Sequence, residues 1–217
     1  MVKRGLNLLT GEPVAVAVAR QNQSLNPAHQ TRRTTKDGTL LPWETRAANV
    51  QQEVAVLKAC SGLPHILPFY GYARVKCLQL GVKAFVVTAL ADGTWESEMK
   101  KLPADDQGKS YVQWVCDVLQ GFEALHQKGY VHRDAHRNNI FIKDGRALLA
   151  DFSRATTPAT PQLMQRDYGI FLKCTLEKSP GRDSRIEDVV KLLAAGSTTT
   201  VGAFQTIQTA HPNILID

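Results

Sequence analysis

The sequence predicts an α+β fold with two unequal halves, one rich in strands and the other rich in helices. Up to residue 91, short β-prone runs alternate with turns that contain glycine or proline. In residues 92–217, apolar side chains instead recur at three- and four-residue spacing, which is typical of packed helices. Because 217 residues with 43% hydrophobic content can bury one core, we expect a single compact unit of two small lobes.

The strand-rich half also contains one helix and one polar segment. The helix is expected from about Trp43 to Ala59, where Val50, Val54 and Leu57 share one face. Residues 21–49 are polar and irregular and are interpreted as an insertion that overlaps the start of this helix. The expected strands are two within residues 2–20, one at residues 65–72 and one at residues 83–88.

The helix-rich half is organised around a long apolar stripe. A helix is expected from Ser110 to Gly129, with Ser110 capping its start and Gly129 its end. A hairpin should follow, with strands at residues 140–142 and 147–150. Further helices are expected near residues 167–172, 184–195 and 201–210.

Composition narrows the choice of partners and location. The formal charge of +6 suits an acidic partner, but the sequence holds no nucleic-acid motif, so nucleic acid is not expected as a partner. The four cysteines lie far apart without metal-site spacing, which is typical of reduced thiols in an intracellular protein. No apolar run reaches membrane-spanning length, so we expect no membrane partner and a cytoplasmic location, with the nucleus as the alternative.

The most specific pattern is V-H-R-D-A-H-R-N-N-I-F at Val131–Phe141, followed by Asp151. A carboxylate at Asp134 can orient a hydroxyl group, and an amide oxygen five residues later at Asn139 can ligate a divalent cation. Asp151 adds a second hard oxygen ligand beyond the expected hairpin. Such oxygen ligands suit Mg²⁺ bound to phosphate groups, so these residues predict a metal site.

This pattern resembles the catalytic loop and the metal-binding aspartate of the protein-kinase-like superfamily. The resemblance covers roughly residues 2–176 and implies a two-lobed kinase-like fold, with a small lobe at 1–91 and a mainly helical lobe at 92–217 that carries the catalytic loop 132–139. It also implies transfer of the γ-phosphoryl group of ATP to a hydroxyl acceptor. Asp134 would be the catalytic carboxylate, Asn139 and Asp151 would hold Mg²⁺, and ATP and Mg²⁺ are the expected cofactors.

The second strand departs from the family pattern. Where the family has V-A-x-K, whose lysine grips the α- and β-phosphates, this chain has Val14-Ala15-Val16-Ala17. A shift of register by two residues places Ala19 at the lysine position, so either alignment gives alanine. A natural pseudokinase and a deliberate lysine-to-alanine replacement would give the same sequence, and both interpretations stay open.

The resemblance assigns further residues to the nucleotide cleft. Glu53, on the family's regulatory helix, is the expected ion-pair partner of the missing lysine. Without the lysine, we expect Glu53 to turn to solvent, to take up a proton or to pair with another cation, because an unpaired buried carboxylate is costly. The expected adenine contacts are Ala15, Thr88 as the gatekeeper, Ala89 and Ala91 in the hinge, and Phe141 below the base.

Two parts of the family pattern are missing from the sequence. No glycine-rich G-x-G-x-x-G loop precedes the strand at the start of this chain, which corresponds to the second strand of the family, so we expect a truncated small lobe. Residues 152–166 hold no recognisable activation loop or A-P-E anchor, so we expect a shortened large lobe.

Three functions are compatible with this sequence. The first is a phosphotransferase that acts on a protein serine, threonine or tyrosine, impaired here by Ala17. The second is a pseudokinase that binds a regulatory protein partner. The third is a small-molecule kinase, suggested by the short 152–166 segment and by His136, which completes an H-x-D-x-H pattern. The retained Asp134, Asn139 and Asp151 favour an enzyme over the pseudokinase.

Overall fold

The structure is a computed structural model that describes residues 2–20, 43–77 and 81–214. Its small lobe contains an antiparallel sheet in the order β1-β2-β4-β3 and one helix, α1. The four strands are β1 (Val2–Leu6), β2 (Pro13–Arg20), β3 (Phe69–Cys77) and β4 (Gly81–Ala89), and α1 is Trp43–Ala59.

The register of the small sheet decides which side chains face α1. Ala15 lies opposite Thr88 and Ala17 lies opposite Val86, so these four side chains share one face. On that face, Ala17 packs against the main core, in which Val86 is buried together with residues of α1. We call the face of β2 that is turned towards the core its inner face. At Ala15 and Ala17 this face carries only methyl groups, where a longer side chain could reach towards the second lobe.

The second lobe combines a small three-stranded sheet with several helices. Its sheet has the order β5-β6-β7. The elements are β5 (Gly93–Thr94), α2 (Trp95–Met99), α3 (Ala104–Gln127), β6 (Ile140–Lys143), β7 (Arg146–Leu149), α4 (Pro161–Cys174), α5 (Ser184–Ala194) and α6 (Thr200–Ala210), with 3₁₀ turns at Phe152–Arg154 and Leu176–Lys178.

Helix α3 forms the centre of the hydrophobic core. The apolar stripe predicted for it is buried: Val112, Val115, Leu119, Phe122 and Leu125. Trp95 of α2 lies edge-on to Trp114 and Phe171, with ring centroids 5.3 and 6.0 Å away. The Trp95 indole N–H donates to Ser179 Oγ at 2.8 Å, so its polar edge is also satisfied. This packing fixes α3, and with it the loop that follows, relative to α4.

The predicted start of α3 at Ser110 is wrong, because the helix begins at Ala104. Its first turn is polar and exposed, so the apolar periodicity that predicted the helix begins only later. Asp105 and Asp106 lie in this turn, where carboxylates interact favourably with the positive end of the helix dipole. Gly129 follows the helix with a φ of 81°, as its predicted capping role requires.

The strand predicted at residues 65–72 begins only at Phe69 and continues to Cys77. The backbone before it pairs with the other lobe instead: Leu67 N–H donates to Leu149 O at 3.0 Å, and Leu149 N–H donates to His65 O at 2.8 Å. His65 has a φ of 53°, which is outside strand geometry. This short segment therefore links the small lobe to β7.

The helix predicted near residues 167–172 is longer than expected, because α4 already begins at Pro161, capped by Thr160. The remaining predicted elements lie close to their expected bounds. The two amino-terminal strands, the helix at 43–59, the hairpin and both carboxy-terminal helices are confirmed within a few residues. Of the predicted insertion at 21–49, residues 43–49 belong to α1, and residues 21–42 lie outside the described part of the chain. The lobe boundary at residue 91 falls in the link between β4 and β5 and stays a prediction. Among the described residues, no helix is long and apolar enough to cross a bilayer.

Candidate active site

The loop at residues 132–139 is held at its start by a buried carboxylate from α4. Asp167 accepts the backbone N–H groups of His132 at 2.8 Å and Arg133 at 2.6 Å, and it contacts His126 Nε2 at 3.1 Å. Before the loop, Val131 exchanges two backbone hydrogen bonds with Thr156, at 2.9 and 3.0 Å. The loop is thus tied both to α4 and to the segment that follows Asp151.

His132 positions the catalytic loop from inside the core. Its Nε2 lies 3.0 Å from Ala150 O, and its Nδ1 accepts the backbone N–H of Asp134 at 3.3 Å. Burial lowers the pKa of His132, so the ring is neutral at neutral pH, with Nε2–H as the donor. Its ring also lies 5.0 Å from that of buried Phe152. His132 therefore connects the residue before Asp151, the residue after it and the backbone of Asp134.

Asp134, within the loop, is in contact with Asn139 at the end of the loop. Asn139 is buried, and its Nδ2 donates to Asp134 O at 3.0 Å and to Asp134 Oδ2 at 3.3 Å. Because Nδ2 is used in this way, the polar atom left on the amide is Oδ1, a hard oxygen donor. Asn139 therefore restrains Asp134, and its Oδ1 is an oxygen that could ligate a metal ion.

The hairpin that follows the loop returns the chain to Asn139 and so brings Asp151 close to it. Ala150 N–H donates to Asn139 O at 3.0 Å, so Asp151 follows directly after a residue that is bonded to the end of the loop. Asp151 has a φ of 59°, a left-handed conformation that an aspartate adopts at some energetic cost. Ser153 Oγ donates to Asp151 Oδ1 at 2.7 Å and fixes the orientation of the carboxylate.

The oxygen atoms of Asn139 and Asp151 fit Mg²⁺ better than a metal ion that is coordinated entirely by protein side chains. The described residues include no group of three or more His, Cys, Asp or Glu side chains that could hold a metal ion. Mg²⁺ is usually held by one or two protein oxygens, with water and phosphate oxygens completing its octahedron. Asn139 Oδ1 and Asp151 supply that number and type of ligand, so the residues present fit Mg²⁺ together with a phosphorylated nucleotide.

Two basic side chains lie near the Asp134 carboxylate. Arg154 Nε is 3.5 Å and His136 Nε2 is 3.8 Å from Asp134 Oδ2. Arg137 does not point to this carboxylate, since its Nε lies 3.2 Å from Glu96 Oε2. The charge of Asp134 is thus partly balanced by Arg154, which comes from the 3₁₀ turn immediately after Asp151.

Glu53 lies on α1, and its surroundings favour protonation. Burial, reinforced by the negative charge of Asp151, raises the pKa of Glu53 from its ordinary value of 4.5 to about 7. Of the three outcomes expected for this residue, the structure favours proton uptake. The influence of Asp151 also places Glu53 near the candidate metal site, as a lysine-pairing glutamate requires.

The residues assigned to adenine lie around the junction of the lobes. Ala89 is buried with Leu67 and Ala150, and half-buried Phe141 of β6 packs against this group. The Ala89 N–H donates to Pro68 O at 2.9 Å, so it is used within the protein and is not available to a base. Thr88 Oγ1 donates to Ala89 O at 3.3 Å. Ala15 lies opposite Thr88 in the sheet, and Ala91 lies in the link after β4. Their contact with adenine stays a prediction.

Sequence reasoning missed a buried charge network behind the site. Asp117 of α3 is fully buried and accepts from Arg146 Nη2 at 2.9 Å and from Ala147 N–H at 2.8 Å. Its Oδ1 also lies 3.7 Å from His65 Nδ1. The network joins α3, β7 and the 65–67 segment, so it holds the hairpin that carries Asn139 and Asp151. Its only signal in the sequence is one aspartate within an apolar stripe.

Comparison with known proteins identifies the family. Residues 12–169, well over half of the chain, match the protein kinase domain. The chain therefore belongs to the protein kinase domain family, and the two-lobed α+β kinase-like fold predicted from its sequence is confirmed.

Several curated proteins are similar to parts of this chain. It is 29% identical over 127 residues to the serine/threonine-protein kinase pakE of Dictyostelium discoideum, across 58% of this chain and 12% of that protein. It is 31% identical over 114 residues to the lipopolysaccharide core heptose(II) kinase WaaY of Escherichia coli, across 50% of this chain and 46% of that protein. It is also 31% identical over 114 residues to the serine/threonine/tyrosine-protein kinase HT1 of Arabidopsis thaliana, across 50% of this chain and 28% of that protein.

The chain spans less than half the length of these relatives. The similarity thus supports a kinase-type domain and, in general terms, phosphotransferase chemistry with ATP and a divalent metal.

Proposed function

We propose that this chain is the core of a kinase-type phosphotransferase that moves the γ-phosphoryl group of Mg-ATP to a hydroxyl acceptor. The observation that carries this proposal is the junction of Asp134, Asn139 and Ala150–Asp151, made by hydrogen bonds of 3.0 and 3.3 Å. It gathers a carboxylate for the acceptor and two oxygen ligands for Mg²⁺ in one place.

Each residue has a distinct role in the proposed transfer. Asp134 hydrogen-bonds the acceptor hydroxyl and takes up its proton as the new O–P bond forms and the bond from the γ-phosphorus to ADP breaks. Asn139 and Asp151 would hold Mg²⁺, which would neutralise phosphate charge when bound. Asn139 also keeps Asp134 in place through its Nδ2. The contribution of the protein is thus mainly positioning and charge neutralisation.

Ala17 should lower the rate at which this chain transfers the phosphoryl group. By the family resemblance, a lysine at this position would place a cation on the inner face of β2, beside Glu53 and the phosphates. Removing one preorganised charge donor costs transition-state stabilisation of about 3 kcal/mol, or roughly a hundredfold in rate. Arg133, Arg137 and Arg154 lie in the other lobe and do not replace it.

A pseudokinase is the second candidate. Ala17 and the raised pKa of Glu53 favour it, because the ion pair that would hold α1 against the nucleotide is missing. The three intact polar residues of the loop and hairpin favour the enzyme. In the pseudokinase interpretation, the protein acts through a regulatory protein partner.

The acceptor is either a protein hydroxyl or a small molecule. The relatives named as serine/threonine-protein kinases favour a protein serine, threonine or tyrosine. The relative named as a heptose kinase, and the short connection from Asp151 to α4, favour a small molecule. We place the protein acceptor first, since more of the similar proteins carry that name.

The test is ATP turnover in three proteins: the chain itself, Ala17→Lys, and Ala17→Lys combined with Asp134→Asn. We expect Ala17→Lys to raise Mg-dependent ATP turnover about a hundredfold and the added Asp134→Asn to remove that gain. Asp144→Asn is the matched control, because Asp144 lies exposed in the hairpin turn. If Ala17→Lys gains no turnover while it binds Mg-ATP, the phosphotransferase proposal is wrong and the pseudokinase is favoured.

A further inference from the structure

Helix α1 is packed into the core of the second lobe as well as against its own sheet. Val54 and Val56 of α1 are buried in the main core together with Phe152 and Ala155. Among the described elements, the helix packs more extensively against the 3₁₀ turn at Phe152–Arg154 than against any strand of the small-lobe sheet. The position of α1 is therefore tied more closely to this turn than to its own sheet.

The side chain of Gln52 adds a hydrogen bond to this apolar contact. Its Nε2 donates to Ala155 O at 3.0 Å. Gln52 lies one helical turn before the buried Val56, so it shares the face of α1 that is turned towards the core. No other donor in the described part of the chain bonds to Ala155 O, and Ala155 is buried. Loss of this donor would leave a buried carbonyl without a partner, which is unfavourable.

The carbonyl of Ala155 belongs to backbone that is joined to the start of the catalytic loop. The next residue, Thr156, exchanges two backbone hydrogen bonds with Val131, at 2.9 and 3.0 Å. Val131 directly precedes the loop at residues 132–139. The hydrogen bond from Gln52 therefore connects α1 with the backbone that carries this loop.

The same hydrogen bond also sets the direction of Glu53. Neighbouring residues of a helix lie about 100° apart around its axis, so fixing Gln52 fixes the direction in which Glu53 points. Ala17 offers Glu53 no cation, whereas the bond to Ala155 O needs neither a charge at residue 17 nor a nucleotide. The structure thus holds α1 in place without the ion pair expected from the family.

We propose that Gln52 is a positioning residue for the transfer reaction: its hydrogen bond to Ala155 O fixes α1 against the second lobe and replaces the ion pair that Ala17 removes. The α1 side of the nucleotide cleft is then assembled before ATP binds. Gln52 acts through α1 and does not itself contact the reacting groups. Its effect on turnover rests on the proposed function, whereas its hold on α1 can be measured without turnover.

The first measurement is hydrogen–deuterium exchange in the unaltered chain, in Gln52→Met and in Gln51→Met. Methionine matches glutamine in length and helix propensity but has no N–H donor. Gln51→Met is the matched control, because Gln51 is the exposed neighbour on the same helix. Gln52→Met should raise amide exchange in residues 50–59 at least about tenfold, and Gln51→Met should leave it unchanged. Strands β2 and β4 should keep their exchange rates, and thermal melting should show that both variants fold.

The second measurement asks whether a lysine at position 17 can take over from Gln52. By the family resemblance, Ala17→Lys supplies a cation that can pair with Glu53 and hold α1 from the side of the sheet. Added to Gln52→Met, it should recover most of the protection that α1 has lost. A side chain that merely stabilised the turn at Phe152–Arg154 would not be rescued from the opposite lobe.

The third measurement is ATP turnover in the Ala17→Lys background. Gln52→Met should lower kcat about tenfold and change the KM for ATP less, because a displaced α1 disturbs the geometry of transfer more than it disturbs nucleotide binding. Gln51→Met should leave both constants unchanged.

Four results would overturn the inference. Equal exchange of α1 in Gln52→Met and Gln51→Met would show that the hydrogen bond does not hold the helix. Faster exchange throughout the small-lobe sheet would assign Gln52 to general stability. Faster exchange of α1 that Ala17→Lys does not reverse would show that the bond does not replace the ion pair. An active Ala17→Lys enzyme whose kcat is unaffected by Gln52→Met would show that Gln52 has no part in the transfer. Absence of turnover in Ala17→Lys contradicts only the proposed function, because the exchange measurements do not depend on it.

Discussion

Replacing Glu53 by glutamine should stabilise the folded protein in alkaline solution and change little in acid. Partial burial, reinforced by the negative charge of Asp151, raises the pKa of Glu53 in the folded state to about 7 from its ordinary value of 4.5. The folded state thus holds the proton more tightly than the unfolded state does. Its contribution to stability is fully present below pH 4.5, is lost as the pH rises to about 7, and stays lost above it.

The size of this loss follows from the two pKa values. One pKa unit corresponds to about 1.4 kcal/mol, so ionising Glu53 in the folded protein costs roughly 3 kcal/mol at high pH. Glutamine has the shape of the protonated carboxyl group and cannot ionise. Glu53→Gln should therefore gain about 3 kcal/mol in the free energy of unfolding at pH 8.5 and less than about 1 kcal/mol at pH 4.5.

Urea denaturation at pH 4.5 and pH 8.5 measures both values. Glu12→Gln is the control. It removes the same charge, and Glu12 lies exposed in the turn before β2. Subtracting the change that Glu12→Gln makes in the free energy of unfolding leaves the contribution that comes from the burial of Glu53. The reasoning is refuted if Glu53→Gln and Glu12→Gln respond alike at both pH values, or if Glu53→Gln destabilises the protein at pH 8.5.

Ala17→Lys provides a second arm of the same experiment. If residue 17 faces Glu53 as the family resemblance implies, the new ammonium group will stabilise the ionised carboxylate and lower its pKa. The loss of stability between pH 4.5 and pH 8.5 should then shrink by at least half. An unchanged pH dependence would show that residue 17 does not reach Glu53.

Two further predictions concern the buried carboxylates that hold the site. Asp117→Asn should lower the free energy of unfolding by about 3 kcal/mol in urea denaturation, because it leaves Arg146 without its buried counter-charge. Asp167→Asn should lower kcat in the Ala17→Lys background about tenfold while the KM for ATP changes little, since its carboxylate bonds the backbone of His132 and Arg133 at the start of the catalytic loop.

Asp188→Asn is a control for both, because Asp188 is exposed on α5 and its ion pair with Lys191 is a surface one. It should change stability by less than about 1 kcal/mol and leave turnover unaltered. An Asp117→Asn protein as stable as this control would contradict the assigned role of the network. A loss of ATP affinity as large as the loss of kcat in Asp167→Asn would show that α4 supports nucleotide binding rather than loop geometry.

The parts of the fold that local sequence controls could be predicted. The hairpin turn is one example: Asp144 and Gly145 have φ values of 50° and 76°, which this residue pair adopts readily, and the alternating strands on both sides follow. The loop at residues 132–139 is another, because the acceptor and metal roles predicted for Asp134, Asn139 and Asp151 demand these residue types at this spacing. Family resemblance then supplied the roles that spacing alone leaves open.

The parts that depend on long-range contacts could not be predicted. His65–Leu67 is as β-prone as a strand, yet its hydrogen bonds go to Leu149 in the other lobe, which no local pattern shows. The cleft lined by Arg133, Arg154 and Arg166 escaped prediction for the same reason, since these residues come from three separate elements. Proton uptake by Glu53 could be named only as one of three options, because choosing among them requires its burial and its nearness to Asp151.

The most direct test of the central claim is the Mg²⁺ dependence of ATP binding in the unaltered chain and in Asp151→Asn, with Asp144→Asn as the control. If Asn139 and Asp151 hold the cation against the phosphates, Mg²⁺ will tighten ATP binding at least about tenfold in the chain and in the control, and this gain will disappear in Asp151→Asn. An Asp151→Asn protein that binds Mg-ATP as tightly as the parent would contradict the account.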